Sequence, residues 1–165
     1  MDPNPVIFMV HKLIDKINDQ VELNDIPKDS SMLGKANLIK EGNDMTIVAY
    51  SNMVNVAKEA IAAEELQNCS IELIDLQTVS PIDYDTIKNS LKKTKRLLVC
   101  QEAPSNSSVG TTVISKIVES ELFHELEVAP KLVSGLHSPM PSAKHLELNV
   151  IPQAEDITNA VKSML

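Results

Sequence analysis

The stretch Asp44–Pro81, DMTIVAYSNMVNVAKEAIAAEELQNCSIELIDLQTVSP, limits the possible folds more than any other part of the chain. Met45–Ala49 is a short apolar run with β-branched residues, the pattern of a strand buried on both faces. Ser51 and Asn52 offer side-chain oxygens to the open amides of a starting helix. Met53, Val56, Ala57, Ala60 and Ile61 then recur at helical spacing and give one apolar face over two turns. Asn68 and Cys69 break that period, Ile71–Leu76 resumes a strand, and Ser80-Pro81 closes the unit. Two strands joined by a helix of this length predict a parallel pair with a right-handed crossover.

The flanking segments extend this unit into an α/β sheet domain over 34–165. Ala36–Lys40 reads as a strand, and the short turn Glu41–Asp44 predicts a hairpin to Met45–Ala49, hence an antiparallel edge strand. Ile82–Thr94 reads as a helix capped by Asp83, with Ile87 and Leu91 on one face. Lys92, Lys93 and Lys95 read as its solvated, dipole-favoured end. Arg96–Gln101 is a further buried strand. A helix from Val109 should turn Val113, Ile114, Ile117, Val118 and Leu122 inward, and Lys131–Ser134 is a last short strand. Residues 135–153 form a long connection with three prolines. The closing helix starts at Glu155 and Asp156. Ile157, Ala160, Val161, Met164 and Leu165 lie at i, i+3, i+4, i+7 and i+8, which predicts that it docks on the sheet.

Residues 1–33 have a different character. Asp2-Pro3-Asn4-Pro5 runs into Val6–Val10, a hydrophobic strand with no partner before it. Such a strand must pair with the later sheet or with another domain to satisfy its backbone. His11–Leu33 is polar and irregular, with linker composition and room for a short helix at Lys12–Ile17.

Composition narrows the function classes. Aromatic residues are 2% of the chain and the net charge is -8, so neither base stacking nor phosphate-backbone binding is expected. An acidic surface suits a basic partner. No apolar run approaches the roughly 20 residues of a membrane span. Cys69 and Cys100 form no CxxC pair and read as buried thiols in a reducing compartment. Gly34, Gly42, Gly110 and Gly135 are too scattered for a phosphate loop, and there is no GxSxG elbow. No catalytic set emerges from the residues. Glu102 ends a strand at the edge where open α/β sheets bind ligands; it could accept hydrogen bonds from a partner or substrate, or cap the next turn. His137 follows a strand end in a Pro-rich loop and is open to either a catalytic role or a loop hydrogen bond. His11, His124 and His145 fall on polar surfaces.

Several segments, in order, carry a family resemblance. NPVIFMVHK resembles NPV-(I/V/L)-F-x-x-x-K. GKANLIKEGNDMTIVAYSNMVNVAKEA is similar to G-K-A-x-(V/I)-x-x-E-G-x-D-(V/L)-T-(I/L)-V-x-(Y/W)-(G/S)-x-M-V. IELIDLQTVSPID resembles E-V-I-D-L-R-T-(L/I)-x-P-x-D, and KTKRLLVCQEAP resembles K-T-G-R-L-(V/L)-x-x-x-E-A. PMPSAKHLELNVIPQAEDITNAV resembles P-M-P-(Y/F)-A-x-x-L-E with a following P-x-x-x-D-I. These are patterns of the carboxyl-terminal half of the beta subunit of thiamine-diphosphate-dependent 2-oxo acid dehydrogenases of the pyruvate dehydrogenase type. The PMP ending leans to pyruvate, while NPVIF and EAP look more like acetoin and branched-chain members.

The resemblance implies a transketolase carboxyl-terminal fold: three α/β/α layers around a mostly parallel five-stranded sheet with one antiparallel edge strand. It makes 1–33 the end strand of a preceding pyrimidine-binding domain plus a linker. The family's thiamine diphosphate contacts and catalytic histidine then fall outside these residues, so this stretch alone should bind no cofactor and be inactive. Asp2 and Asn4 match part of the family's potassium site. Implied partners are an alpha subunit, a second beta subunit and the basic peripheral-subunit-binding domain of the lipoyl acyltransferase. Glu102, His137, Asp156 and Leu165 are the partner-binding candidates. The implied location is the cytoplasm of a bacterium, or the mitochondrial matrix or plastid of a eukaryote. Gln77 replaces the family arginine, Ser142 the aromatic after PMP, Ser105–Ser108 a glycine-rich loop, and LIDKIN stands where a Tyr follows HK; each removes a potential partner contact. The end domain of a transketolase or deoxyxylulose-phosphate synthase, and a stand-alone acidic binding module, are the alternatives.

Overall fold

The computed structural model describes residues 4, 5, 7, 9–14 and 33–165. Five strands and five α-helices follow in the order β1 (Asn37–Lys40), β2 (Met45–Ala49), α1 (Met53–Ala62), β3 (Ile71–Asp75), α2 (Tyr84–Thr94), β4 (Leu97–Pro104), α3 (Val109–Val118), β5 (Lys131–Gly135), α4 (Lys144–Glu147) and α5 (Ala154–Lys162). The sheet order is β1-β3-β2-β4-β5. The pairs β2–β3, β2–β4 and β4–β5 are parallel, and only β1 runs antiparallel, at the edge. This is the expected sheet.

Alternate residues of the central strands feed two cores, as the period of a strand demands. Met45, Ile47, Leu73, Leu98 and Cys100 pack with Ala57 and Ile61 of α1 and Ile157 and Val161 of α5. Val48, Ile74, Leu97 and Val99 pack with Ile87 and Leu91 of α2 and Val113 and Ile117 of α3. The result is the three-layer α/β/α arrangement, and α5 is a docked helix. Burial of Ile157, Val161 and Met164 accounts for its attachment, although Leu165 remains 51% exposed.

The hairpin does not form. β1 pairs with β3, not with β2. Both edges of β2 are taken by parallel strands, and the Glu41–Asp44 turn instead passes over the start of β3. The amides of Asn43 and Asp44 donate to the Ser70 carbonyl at 2.8 Å, and the Ser70 amide donates to Asp44 Oδ2 at 2.7 Å. Gly42 permits this, because a Cβ there would lie 2.2 Å from the Ile71 carbonyl carbon.

Other expectations shift locally. Asn52 is the N-cap of α1, but its side chain makes no capping hydrogen bond, and Ser51 sits at φ 57°. Asp83 caps α2 as expected, accepting from the Thr86 amide. Lys93 is not merely solvated: it pairs with Glu72, whose carboxylate is 3% exposed on β3. Helix α3 stops before Leu122, which is buried in the 3-10 turn Glu121–Glu125, and Val118 is 42% exposed. Cys100 is buried, whereas Cys69 is only partly so. Of the expected strand Val6–Val10, Val6 and Phe8 lie outside the described residues, and Ile7, Met9 and Val10 are exposed. The allowed helix at Lys12–Ile17 is described only as one turn closed by Ile14 N–H to the His11 carbonyl at 3.0 Å.

Candidate functional site

The chain crosses the sheet from β3, on one side of β2, to β4 on the other. β2 and β4 therefore flank the topological switch point, whose carboxyl edge is the preferred ligand position in open α/β sheets. A cleft of about 320 Å³ opens there. Its floor comes from Glu102 on β4 and from Asn52 and Val56 at the start of α1. Leu148, Ile151 and Pro152 supply an apolar wall from the connection before α5, and His11–Leu13 closes the opposite side.

Glu102 is held at the cleft by the end of β4. Gln101 folds its side-chain amide back onto the carbonyls of Ala103 and Pro104, at 2.9 and 3.1 Å, and accepts from the Gly110 amide at 2.7 Å. The strand end is thereby tied to the first turn of α3. Ser108 caps that helix in a reciprocal arrangement with Thr111, so Glu102 is not needed as a cap. Gly135 makes room for the same region, since a Cβ there would lie 2.2 Å from the Glu102 carbonyl oxygen.

The partner of Glu102 is His11, with Nε2 and Oε2 3.1 Å apart. The Leu13 amide donates to His11 Nδ1 at 3.2 Å. A backbone amide can only donate, so Nδ1 carries no proton and Nε2–H donates to Glu102. Neither ring nitrogen keeps a free lone pair for base catalysis. The pair is a clasp that holds the His11–Leu13 turn against the sheet edge. A weaker tie joins Lys12 and Glu147 at 3.9 Å. Burial, with the nearby Glu102 charge second, pushes the Tyr50 phenol up.

The other candidates do not join this cleft. His137 is exposed in the loop after β5. Asp156 completes the capping box of α5, accepting from the Gln153 amide at 2.8 Å, and lines a separate shallow hollow beside β5. Leu165 ends the chain on the surface. Asn4 is exposed, and Asp2 lies outside the described residues. His11 was legible only as a polar residue; its 91-residue separation from Glu102 leaves no local signal. Among the described residues no cluster of three or more His, Cys, Asp or Glu could hold a metal ion. The polar groups lining the cleft are mostly tied in the His11–Glu102 and Lys12–Glu147 pairs beside an apolar wall, a set that does not fit a metal-bound diphosphate such as thiamine diphosphate. No helix among the described residues is long and apolar enough to cross a membrane.

A family model described as "Transketolase, C-terminal domain" matches residues 34–157. The chain belongs to the transketolase C-terminal domain family. This transketolase C-terminal domain and its leading segment are 38% identical over 163 residues to the pyruvate dehydrogenase E1 component subunit beta of Rickettsia bellii, covering 99% of the chain and 49% of that relative. The mitochondrial subunit of the same name from Pisum sativum is 35% identical over 164 residues, covering 98% and 45%. The chain therefore spans about half the length of the curated relatives it matches. Among solved structures, a split gene transketolase described as an inactive beta4 tetramer aligns with a TM-score of 0.69 and 25% identity, over 89% of this chain and 46% of that one.

Proposed function

We propose that the chain serves as the carboxyl-terminal assembly and partner-docking domain of a pyruvate (2-oxo acid) dehydrogenase beta subunit. Similarity along its whole length to beta subunits, at 35–38% identity, carries this reading. It outweighs the 25% identity to the split transketolase chain, which favours the alternative of an end domain in a transketolase-type enzyme. The parent enzyme would oxidatively decarboxylate a 2-oxo acid on thiamine diphosphate and acylate the lipoyl group of its acyltransferase. Those cofactor contacts belong to the remaining half of the beta subunit, residues 1–33 being the end of its pyrimidine-binding domain plus a linker. Asp2 and Asn4 would complete a potassium site only with that half.

The partners on this reading are an alpha subunit, a second beta subunit and the basic peripheral-subunit-binding domain of the acyltransferase. The net charge of -8 supports the last. Glu102, His137, Asp156 and Leu165 remain the proposed contact residues; Glu102 must first leave His11, whereas His137 and Leu165 are exposed. The bacterial and mitochondrial relatives support a cytoplasmic or matrix location. Calorimetric titration of the 165-residue chain with a peripheral-subunit-binding domain, at low and high salt, tests the proposal. Association that weakens as salt rises is expected. Absence of binding at low salt, or thiamine-dependent decarboxylation by this chain alone, would refute it.

A further inference from the structure

We propose that the His11–Leu13 turn is a pH-operated latch on the sheet edge: protonation of His11 releases the Leu13 amide while tightening the hold of the ring on Glu102. The two ring nitrogens face partners that respond oppositely to an added proton. In the neutral ring Nδ1 accepts from the Leu13 amide at 3.2 Å, and Nε2–H donates to Glu102 Oε2 at 3.1 Å. The added proton can go only to Nδ1, because Nε2 already carries one. Nδ1–H then faces the Leu13 N–H, two donors with no acceptor between them, and that hydrogen bond is lost. On the other side the contact becomes a charge-assisted one between imidazolium and carboxylate, roughly twice as strong as its neutral form. One proton thus loosens the tip of the turn and fastens its root.

The surroundings leave this exchange intact. Among the described residues, the charged and titratable groups around the ring are Lys12 beside it, Glu102 from β4, Lys144 and Glu147 from α4, and Tyr50 just after β2, which feels the Glu102 charge. Lys12 and Glu147 lie 3.9 Å apart and offset each other. Lys144 opposes a second cation, but its side chain is exposed to water, whereas Glu102 is in hydrogen-bond contact with the ring. The His11 and Glu102 side chains are 20% and 26% exposed, so their pair is partly shielded from solvent. Two further ties do not involve the ring: the Ile14 amide donates to the His11 carbonyl at 3.0 Å, and Lys12 reaches Glu147. They keep the turn in place when the Leu13 amide is released. Every contact lies within this chain, so the latch does not rest on the docking reading.

Amide exchange and long-range proton–nitrogen NMR of the isotope-labelled 165-residue chain, taken from about pH 8 down to about pH 5, test the proposal; over that range histidine is the side chain whose charge ordinarily changes. The neutral His11 ring should read as the Nε2–H tautomer. As the ring charges, protection of the Leu13 amide should fall about five-fold relative to Ile14, the loss of one ordinary hydrogen bond. Nuclear Overhauser contacts from the ring to the Glu102 methylenes should persist throughout. His11→Gln keeps a donor for Glu102 but cannot titrate, so the ratio of Leu13 to Ile14 protection should stay constant across the range; this variant also separates His11 from the other three histidines. Glu102→Gln removes the counter-charge, and its ring contacts should weaken in acid. An Nδ1–H tautomer in the neutral ring, a Leu13 to Ile14 ratio that ignores the ring's titration, or ring contacts to Glu102 that vanish in acid in the unaltered chain would each overturn the proposal. Ring contacts in the Glu102→Gln chain as persistent in acid as in wild type would overturn it as well.

Discussion

Replacing Glu72 by Gln isolates an ion pair with a buried carboxylate that fastens α2 to the sheet. Glu72 on β3 is 3% exposed and pairs with Lys93 on α2. Its carboxylate also accepts from the Gly42 amide at 3.2 Å and from the Ser90 hydroxyl. In register beside it on β2, Thr46 bonds Ser90 at 2.6 Å and Thr94 at 2.5 Å. Burial pushes the Glu72 carboxyl up, but Lys93, Ser90 and the Gly42 amide together outweigh it and hold it below the ordinary value of 4.5. Gln keeps the shape and removes the charge. A charge-assisted hydrogen bond contributes about 1.5–3 kcal/mol net. The Lys93 side chain is 42% exposed and can retreat into water, so the lower part of that range applies, about 2 kcal/mol. That corresponds to a fall in Tm on the order of 6 °C. Lys93→Met should cost more, about 3 kcal/mol, because it strands a buried carboxylate. Since the folded state lowers the pKa of Glu72, the pair's stabilisation is complete above the unfolded value and is lost as pH falls through the folded value. Urea unfolding followed by circular dichroism should therefore show the full gap between wild type and Glu72→Gln at pH 7, shrinking as the buffer is taken below pH 4.5. Equal stability at pH 7, or a gap that does not shrink in acid, would refute the electrostatic account.

Removing residues 154–165 strips the buried Ile157, Val161 and Met164 from the sheet, and at roughly 1.5–3 kcal/mol each that approaches a whole domain's stability; the shortened chain should lose its cooperative thermal transition. Gly42→Ala forces a Cβ into the Ile71–Glu72 backbone and should lower stability by more than about 2 kcal/mol, read by urea midpoint. His11→Ala should release the His11–Leu13 turn, raising amide exchange at Leu13 while changing global stability by less than about 1 kcal/mol, because the clasp is a single partly exposed contact. In the native chain a thiol reagent should modify Cys69 and spare Cys100, whose thiol is pushed far up by full burial.

The parts of the fold that a linear reading captures are those in which local pattern and tertiary environment agree. β2, β3 and β4 are mostly apolar because helices cover both faces, and Ile47–Ala49, Leu73-Ile74 and Leu97–Cys100 say so directly, with Thr46 and Glu72 as buried polar exceptions. The Asp83 cap and the α5 stripe are likewise written within one or two turns of chain. The hairpin expectation failed at a point where local pattern is silent. A four-residue turn allows β1 to fold back on β2, but β2 is claimed by β3 and β4, and only the glycine at 42 lets the turn ride over the Ile71–Glu72 backbone instead. Strand order is a property of competing partners, which no single segment displays.

The cleft separates what is legible from what is not in a sharper way. Glu102 stood out because the strand pattern stops there; β4 in fact runs on to Pro104, and the fold puts Glu102 on it at the switch point. His11, Lys144 and Leu148 did not, because their meaning comes from being folded over that edge from opposite ends of the chain. His11 also shows how geometry removes a role that residue type invites. A histidine bonded to a carboxylate resembles a catalytic dyad, yet the Leu13 amide occupies Nδ1 and Glu102 takes the Nε2 proton, so no lone pair is free to accept a substrate proton. What the edge retains is an apolar wall, the Lys144 ammonium with no ion pair among the described residues, and a helix amino end. Each of these features reaches the edge from a different segment, so only the folded chain displays them together.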